Sequence, residues 1–238
     1  MPTQLLKVRE THTTATTKPS GGSLAASLDD GAEVHAVGAA PWNTVGEMLV
    51  YDTKHGMGRL AGAKWHHAFR FELPSTGWLS GKIIDNVTLK LTHTGVGSGS
   101  YTATAYMQKS TTPAAVADVG SNISNTTNRP RTTANCAFGS AELGSHSANV
   151  KVGYTGSTAG ANEFAEMLKE VMTLGTSSID AIMLLIIHSG SGTGLRQVYS
   201  SYFSAHRPEL EILYRENVVD LDFKKREIVR LDTARVRI

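Results

Sequence analysis

The stretch from Ala68 to Leu73 reads AFRFEL, and it decides the fold class. Its aromatic and aliphatic side chains alternate with an arginine and a glutamate, which is the period of two of a β-strand with one buried face. Pro74 ends the strand, because proline cannot donate to a ladder of hydrogen bonds. The stretch therefore predicts a strand that turns one face to a hydrophobic core.

The same period recurs on both sides of this strand. In Asn86–Thr92 three aliphatic side chains alternate with threonine and lysine, while Ala181–Ile187, AIMLLII, is apolar throughout. An apolar run of this length with β-branched residues indicates a central strand covered on both faces. Further strands are predicted at residues 33–37, 47–52, 101–108, 148–154, 198–203 and 209–214, the last with Glu209 outward.

One helix interrupts the strands. Asn162 can cap it, apolar side chains recur at helical spacing from Phe164 to Met172, and Gly175 can end it. Charged residues make up only 18% of the chain and glycine is frequent, a balance that favours short strands and turns. The sequence therefore predicts an all-β fold, an antiparallel β-sandwich with one short α-helix.

The chain divides into three parts. Residues 1–31 include a stretch rich in Thr, Ser, Gly and Pro and are predicted to form an extended N-terminal arm. Residues 32–214 are predicted to form the sandwich, and residues 215–238 a charged C-terminal arm whose apolar side chains keep a period of two. We expect this arm to complete a sheet, in its own subunit or in a neighbour. The assembly-interface candidates are Val219, Leu221, Phe223, Val229, Leu231, Val236 and Ile238.

Charge and cysteine content limit the classes of partner and the compartment that we expect for this chain. With 23 basic and 21 acidic side chains, the chain offers no strong counter-charge to nucleic acid or to anionic lipid. We therefore expect neither as a partner. Cys136 is the single cysteine, which fits assembly in a reducing compartment, and neither a signal peptide nor a membrane-spanning stretch is recognisable.

The motifs of common enzymes and metal sites are missing from the sequence. No serine stands in a GxSxG elbow, no HExxH spacing exists, and the glycines of residues 189–195 match no phosphate-binding loop and predict a turn. The nine histidines, including the adjacent His66 and His67, are interpreted as structural or surface residues. The sequence thus predicts no catalytic residue, no metal site and no cofactor. A calcium ion bound in a loop by Asp29 and Asp30 is an alternative to this interpretation.

Three tryptophans support an alternative. Trp42, Trp65 and Trp78 can form a platform on which sugar rings stack, because aromatic faces pack well on carbohydrate. Core packing explains the same residues more simply. A carbohydrate-binding or adhesin module therefore remains the rival function.

The order of elements resembles that of the DNRLRE-type domain. A PWNTVG loop is followed by EMLVYD, AFRFELP, IIDNVTLKLTH, the helix EFAEMLKEVM, AIMLLII and YSSYFSAHRPELEILY. The family's strand and closing motifs are matched by Phe69, Phe71 and Leu73 and by Ser200, Ser201, Arg207, Pro208, Leu210, Ile212 and Tyr214. The likeness covers about residues 32–214.

This resemblance implies a jelly-roll module of the kind found in bacteriophage virion proteins and in carbohydrate-associated surface proteins. Arms around a rigid sandwich suit a subunit that holds identical or neighbouring subunits. We therefore expect a non-enzymatic virion component, such as a head decoration, tail or collar subunit. Its expected partners are its own copies and other virion proteins, and it would assemble in the cytoplasm of a host bacterium.

Overall fold

The structure, a computed structural model, describes residues 3–7, 27–28, 30–36, 48–49, 54–60, 63–95, 97–114, 116–117, 129–188, 192, 194–199 and 206–217. Most of its regular elements are strands, and every strand pair is antiparallel. The prediction of an all-β sandwich is confirmed.

The elements are numbered in chain order. The strands are β1 Thr3–Lys7, β2 Ser27–Leu28, β3 Asp30–Ala36, β4 Met48–Leu49, β5 Lys54–Leu60, β6 Ala63–Glu72, β7 Lys82–Thr92, β8 Ala103–Met107, β9 Val116–Ala117, β10 Cys136–Ala137, β11 Lys151–Tyr154, β12 Ala181–His188, β13 Leu195–Tyr199 and β14 Glu209–Glu216. The helices are α1 Ser140–Leu143, α2 Glu163–Met172 and a 3-10 turn at Thr176–Ser178.

The smaller layer of the sandwich is a four-stranded sheet in the order β1-β14-β7-β11. The register of its central pair sets Leu210 opposite Leu89 and Ile212 opposite Val87, and these four side chains are fully buried. The predicted alternation of β7 and β14 therefore points its apolar side chains into the core. A bulge between Leu213 and Tyr214 shifts the register near the end of β14.

The larger layer follows the order β10-β8-β12-β6-β3-β4, with β5 paired to β6 and β13 paired to β5. Phe69 and Phe71 of β6 are fully buried in the same core as β7, as the alternation predicts. Each such side chain stabilises the fold by about 1.5–3 kcal/mol through removal of apolar surface from water. The two layers thus share one hydrophobic core.

Strand β12 is buried on both faces, as its unbroken apolar run predicts. Leu184 lies in the core between the sheets, while its neighbours Met183 and Leu185 face away from that core and are still at most 1% exposed. On this outer side Arg70 Nε of β6 donates to Pro113 O at 2.8 Å, which attaches the segment around Pro113 to the sheet. The larger sheet is therefore covered on its outside as well.

Helix α2 confirms the predicted helix. Asn162 caps it by accepting from Ala165 N at 2.7 Å, and its apolar stripe is buried against β7 and β8. Neither α2 nor any other described helix has the length and apolar character that crossing a bilayer requires.

Some elements differ from the predictions. Strand β13 begins at Leu195 rather than at Val198, and the predicted residues 200–203 lie outside the described ranges. Strand β5 was not predicted, because its sequence KHGMGRL has two glycines and no apolar alternation. Glu209 was expected to be solvent-facing, yet it is only 5% exposed, and its carboxylate lies 3.1 Å from Lys151 Nζ of β11.

Three glycines allow backbones to approach closely at one end of the sandwich. A methyl group on Gly139, Gly192 or Gly194 would come within 3.0 Å of backbone atoms in residues 99–102. Gly194 N donates to Ser100 O at 2.9 Å, and Leu195 N donates to Ser98 O at 2.8 Å. The glycines near residue 194 therefore serve close chain packing.

Candidate assembly site

One edge of the four-stranded sheet pairs β1, near the start of the sequence, with β14, the last described strand. Strand β1 lies antiparallel to β14, with Thr3 opposite Leu213 and Lys7 opposite Glu209. Strand β14 then ends at Glu216, on the side of the edge where β1 begins. Asn217, the last described residue, therefore lies beyond the same end of this edge as Thr3. We call β1 together with β14 the assembly edge.

An aromatic pair supports β14 just before it ends. The rings of Trp78 and Tyr214 meet edge to face with centroids 5.1 Å apart. The ammonium of Lys82 lies 4.8 Å from the Trp78 ring and 5.1 Å from the Tyr214 ring, within cation–π range of both. Trp78 and Tyr214 pack against the core and are partly buried.

Polar contacts fix the backbone beyond Tyr214. Arg215 binds both carboxylate oxygens of Asp85 through Nε at 3.0 Å, and Lys82 Nζ lies 3.3 Å from Glu216. Asn217 N donates to Gly81 O at 2.6 Å. The strand is thus held to its last residue, and the tail begins from a fixed point at Asn217.

The outer face of the same sheet carries paired charges. Lys90 Nζ lies 2.7 Å from Glu211, and Lys151 Nζ lies 3.1 Å from Glu209. These ion pairs join β7 to β14 and β11 to β14. The first pair links adjacent strands, while the second reaches across β7. Such ion pairs stabilise a sheet by a few tenths of a kcal/mol to about 1 kcal/mol each.

Most of the predicted site residues cannot be compared with the structure. The seven interface candidates from Val219 to Ile238 lie outside the described residues, as do Trp42 and Asp29. Trp65 lies in β6, opposite Val34 and Gly58, at a position where the backbone alone is described. Trp78 is the one tryptophan with a described environment, and it packs on Tyr214 rather than standing alone.

A buried polar cluster lies at the other end of β7. His93 Nε2 is 2.6 Å from the hydroxyl of Tyr154, which donates to Leu143 O at 3.1 Å. Since the tyrosine proton is used on Leu143, His93 must carry its own proton on Nε2. His146 stacks at a tilt with ring centroids 4.5 Å away. We call His93, His146, Tyr154 and Arg196 the corner cluster.

Arg196 is the fourth member of the corner cluster, and none of its described hydrogen bonds goes to a carboxylate. Its Nε donates to Gly144 O, and its NH1 group lies within 3.3 Å of the carbonyls of Ser98, Gly99 and Leu195. Its side chain covers Gly97, where a methyl group would collide with Cδ. A buried guanidinium satisfied by four carbonyls ties the segment after β7 to β13 and to α1.

Burial controls protonation in the corner cluster. Burial, with added repulsion from His146 and Arg196, lowers the pKa of His93 to about 4, and burial raises the pKa of Tyr154. At neutral pH both side chains are therefore uncharged hydrogen-bond partners. No local pattern in the sequence predicts this cluster, because its members come from four separate segments and only folding brings them together.

Helix α2 carries two carboxylates that hold loops. Glu170 accepts from Thr133 N and Ala134 N at 2.9 Å, and these bonds, with Lys109, lower its pKa to about 2. At the other end of the helix, desolvation acts against ionisation of Glu163, but hydrogen bonds from Ser157 and Thr158 outweigh it and lower the pKa. Both glutamates therefore act as charged anchors for neighbouring loops.

The single thiol is shielded. Cys136 is 3% exposed, and burial raises its pKa to about 12, with Glu163 and Glu142 adding to the shift. Within the part of the chain that the structure describes, no group of three His, Cys, Asp or Glu side chains is arranged to hold a metal ion.

Neither a family model nor a curated protein matches the chain.

Proposed function

We propose that this chain is a non-enzymatic structural subunit that assembles through its terminal arms, as a component of a bacteriophage virion. The observation that supports assembly is the meeting of β1 and β14 at one sheet edge, with the C-terminal arm starting there from a fixed point. A sheet edge offers unpaired backbone groups, and strand addition uses them to join chains. The virion setting follows from the resemblance to DNRLRE-type modules.

The oligomeric state of the full chain tests the assembly function. We expect sedimentation velocity to give a defined oligomer for residues 1–238 and a monomer for residues 1–217. Truncation after Asn217 leaves β14 and its contacts to Asp85 and Lys82 intact. Equal thermal unfolding midpoints of the two chains would show that the sandwich survives the truncation. Two monomers at the highest soluble concentration would rule the assembly function out.

The virion setting has a separate test. Mass spectrometry of purified phage particles whose genome encodes this chain should detect its peptides at a fixed ratio to the major capsid protein. Peptides found only in the lysate, and never in the particle fraction, would contradict a structural role.

A further inference from the structure

We propose that the C-terminal arm of a second copy, beginning at Val218, adds as a strand to the outer edge of β1. This inference rests on the assembly function proposed above, and it assigns the donor and the acceptor. The donor is the segment that contains Val219, Leu221 and Phe223. The acceptor is the side of β1 that faces away from β14.

Strand length singles out β1 as the acceptor. In the described strand orders, the larger sheet ends at β10 and β4, which have two residues each, and the smaller sheet ends at β11 and β1. Strand β11 has four residues and β1 has five. Strand β13, which ends the branch through β5, also has five, but its side away from β5 already bridges to His93 and Ser98. An antiparallel edge strand directs alternate pairs of N–H and C=O groups away from its partner. Among the described sheet ends, β1 therefore offers the longest run of backbone groups to a new strand.

Topology favours a second copy over the chain's own tail. Because β1 is antiparallel to β14, a strand added antiparallel to β1 runs parallel to β14. A chain that leaves β14 and returns parallel to it needs a crossover of a dozen or more residues. The strand pattern of the tail begins at Val219, two residues after Asn217, which leaves no room for a crossover before residues 219–223. The tail of a neighbouring copy has no such constraint.

The side chains of donor and acceptor are complementary. In residues 219–223 the apolar side chains alternate with Asp220 and Asp222, and this segment has no basic residue. Strand β1 contains Lys7, the sequence continues to Arg9, and residues 3–9 have no acidic residue. Opposite charges on neighbouring strands are favourable.

Hydrogen exchange on the full chain tests the acceptor. Amides of residues 3–7 and 219–223 should become protected together, each by roughly tenfold or more, at concentrations where sedimentation shows assembly. If the oligomer forms and the tail becomes protected while β1 does not change, the tail binds elsewhere. That result overturns this inference and leaves the assembly function standing, whereas a monomer at all concentrations refutes both.

A pair of matched variants tests the donor. Leu221→Asp with Phe223→Asp should abolish the oligomer and the concentration-dependent protection of β1. Lys225→Gln with Arg226→Gln changes the net charge by the same amount, spares the apolar pattern, and should retain both. Loss of assembly in the control as well, or retention in the first variant, would contradict strand addition by this segment. Unfolding midpoints equal to that of the natural chain would show that both variants fold.

Discussion

At His93 the fold places an ionisable ring where a charge has no favourable partner. The ring is 0% exposed, Nε2 is used on Tyr154, and Nδ1 has no hydrogen-bond acceptor among the described residues. The groups that face it are His146, Tyr154 and the guanidinium of Arg196, and the last repels a second cation. Protonation of His93 therefore opposes the folded state.

This arrangement predicts a loss of stability in mild acid. The pKa of His93 is 6.5 in the unfolded chain and about 4 in the folded protein, so the unfolded chain binds the extra proton between these values. The titration of His93 therefore leaves the free energy of unfolding unchanged above pH 6.5 and lowers it by roughly 2–3 kcal/mol in all as the pH falls to about 4. Urea unfolding at a series of pH values between 7 and 4 measures it.

A comparison of variants isolates His93 from the other histidines. His93→Gln keeps a donor for Tyr154 but does not titrate, so its unfolding free energy should fall less steeply between pH 6.5 and 4. His146→Gln, at the half-buried neighbour, should leave most of the slope in place. If His93→Gln shows the full slope of the natural chain, the pH dependence originates elsewhere.

Asn162 shows how one side chain can serve two elements. Its Oδ1 accepts from Ala165 N at 2.7 Å to cap α2 and from Val87 N at 3.2 Å, while its Nδ2 donates to Val87 O at 3.1 Å. The side-chain amide thus makes the two hydrogen bonds to β7 that a peptide group of a neighbouring strand would make. It does so at Val87, just past Leu89, where the pairing of β11 with β7 ends.

Removing this amide should therefore cost more than a helix cap. We expect Asn162→Ala to lower the unfolding free energy by about 2–3 kcal/mol, because the cap is lost and Val87 loses two partners. Asn162→Ser keeps an acceptor for Ala165 but does not reach Val87, and should recover about half. Full recovery by serine, in urea unfolding, would show that the contact with β7 does not stabilise the fold.

At the scale of elements, α2 stabilises a loop as well as the core. We expect Glu170→Gln to lower the unfolding free energy by about 1–2 kcal/mol, a figure discounted for the partial exposure of the carboxylate. Since the pKa of Glu170 is lowered to about 2, the contribution is present above pH 4.5 and is lost as the pH falls towards 2. Thermal unfolding at pH 7 and pH 3 measures both effects.

Glu166 offers a control on the same helix. It pairs only with Lys169, one turn away at the surface, in the described ion pairs. Glu166→Gln should therefore change stability by less than about 0.5 kcal/mol at either pH. A loss as large as that of Glu170→Gln would mean that helix charge, and not the contact with Thr133 and Ala134, is responsible.

The elements that sequence reasoning predicted are those in which local pattern and burial agree. Strands β6 and β7 and helix α2 repeat apolar residues with the period of their own structure, and β12 is apolar throughout because both of its faces are buried. Strand β5 contains Gly56 and Gly58 and depends on pairing with β6 and β13, a non-local interaction that no local pattern reveals. The corner cluster was not predicted for the same reason.

At the scale of the whole molecule, β1 and β14 meet at the assembly edge. The sequence predicted a strand-patterned tail, but it could not predict that β1 would lie beside β14, since residues 3–7 and 209–213 are far apart in the chain. A donor that starts beside an acceptor on the same subunit allows two copies to exchange tails about a two-fold axis, or many copies to link in a ring. The number of copies measured by sedimentation distinguishes a dimer from a ring.

The shielding of Cys136 makes it possible to label this chain selectively at a second, exposed cysteine. With a pKa of about 12, its thiolate is scarce at neutral pH, and its burial keeps reagents away. A cysteine introduced at an exposed position such as Ser75 would therefore be the fast site for a maleimide dye, without removal of the natural thiol. Two pools of chains labelled with donor and acceptor fluorophores would then report subunit mixing directly by energy transfer.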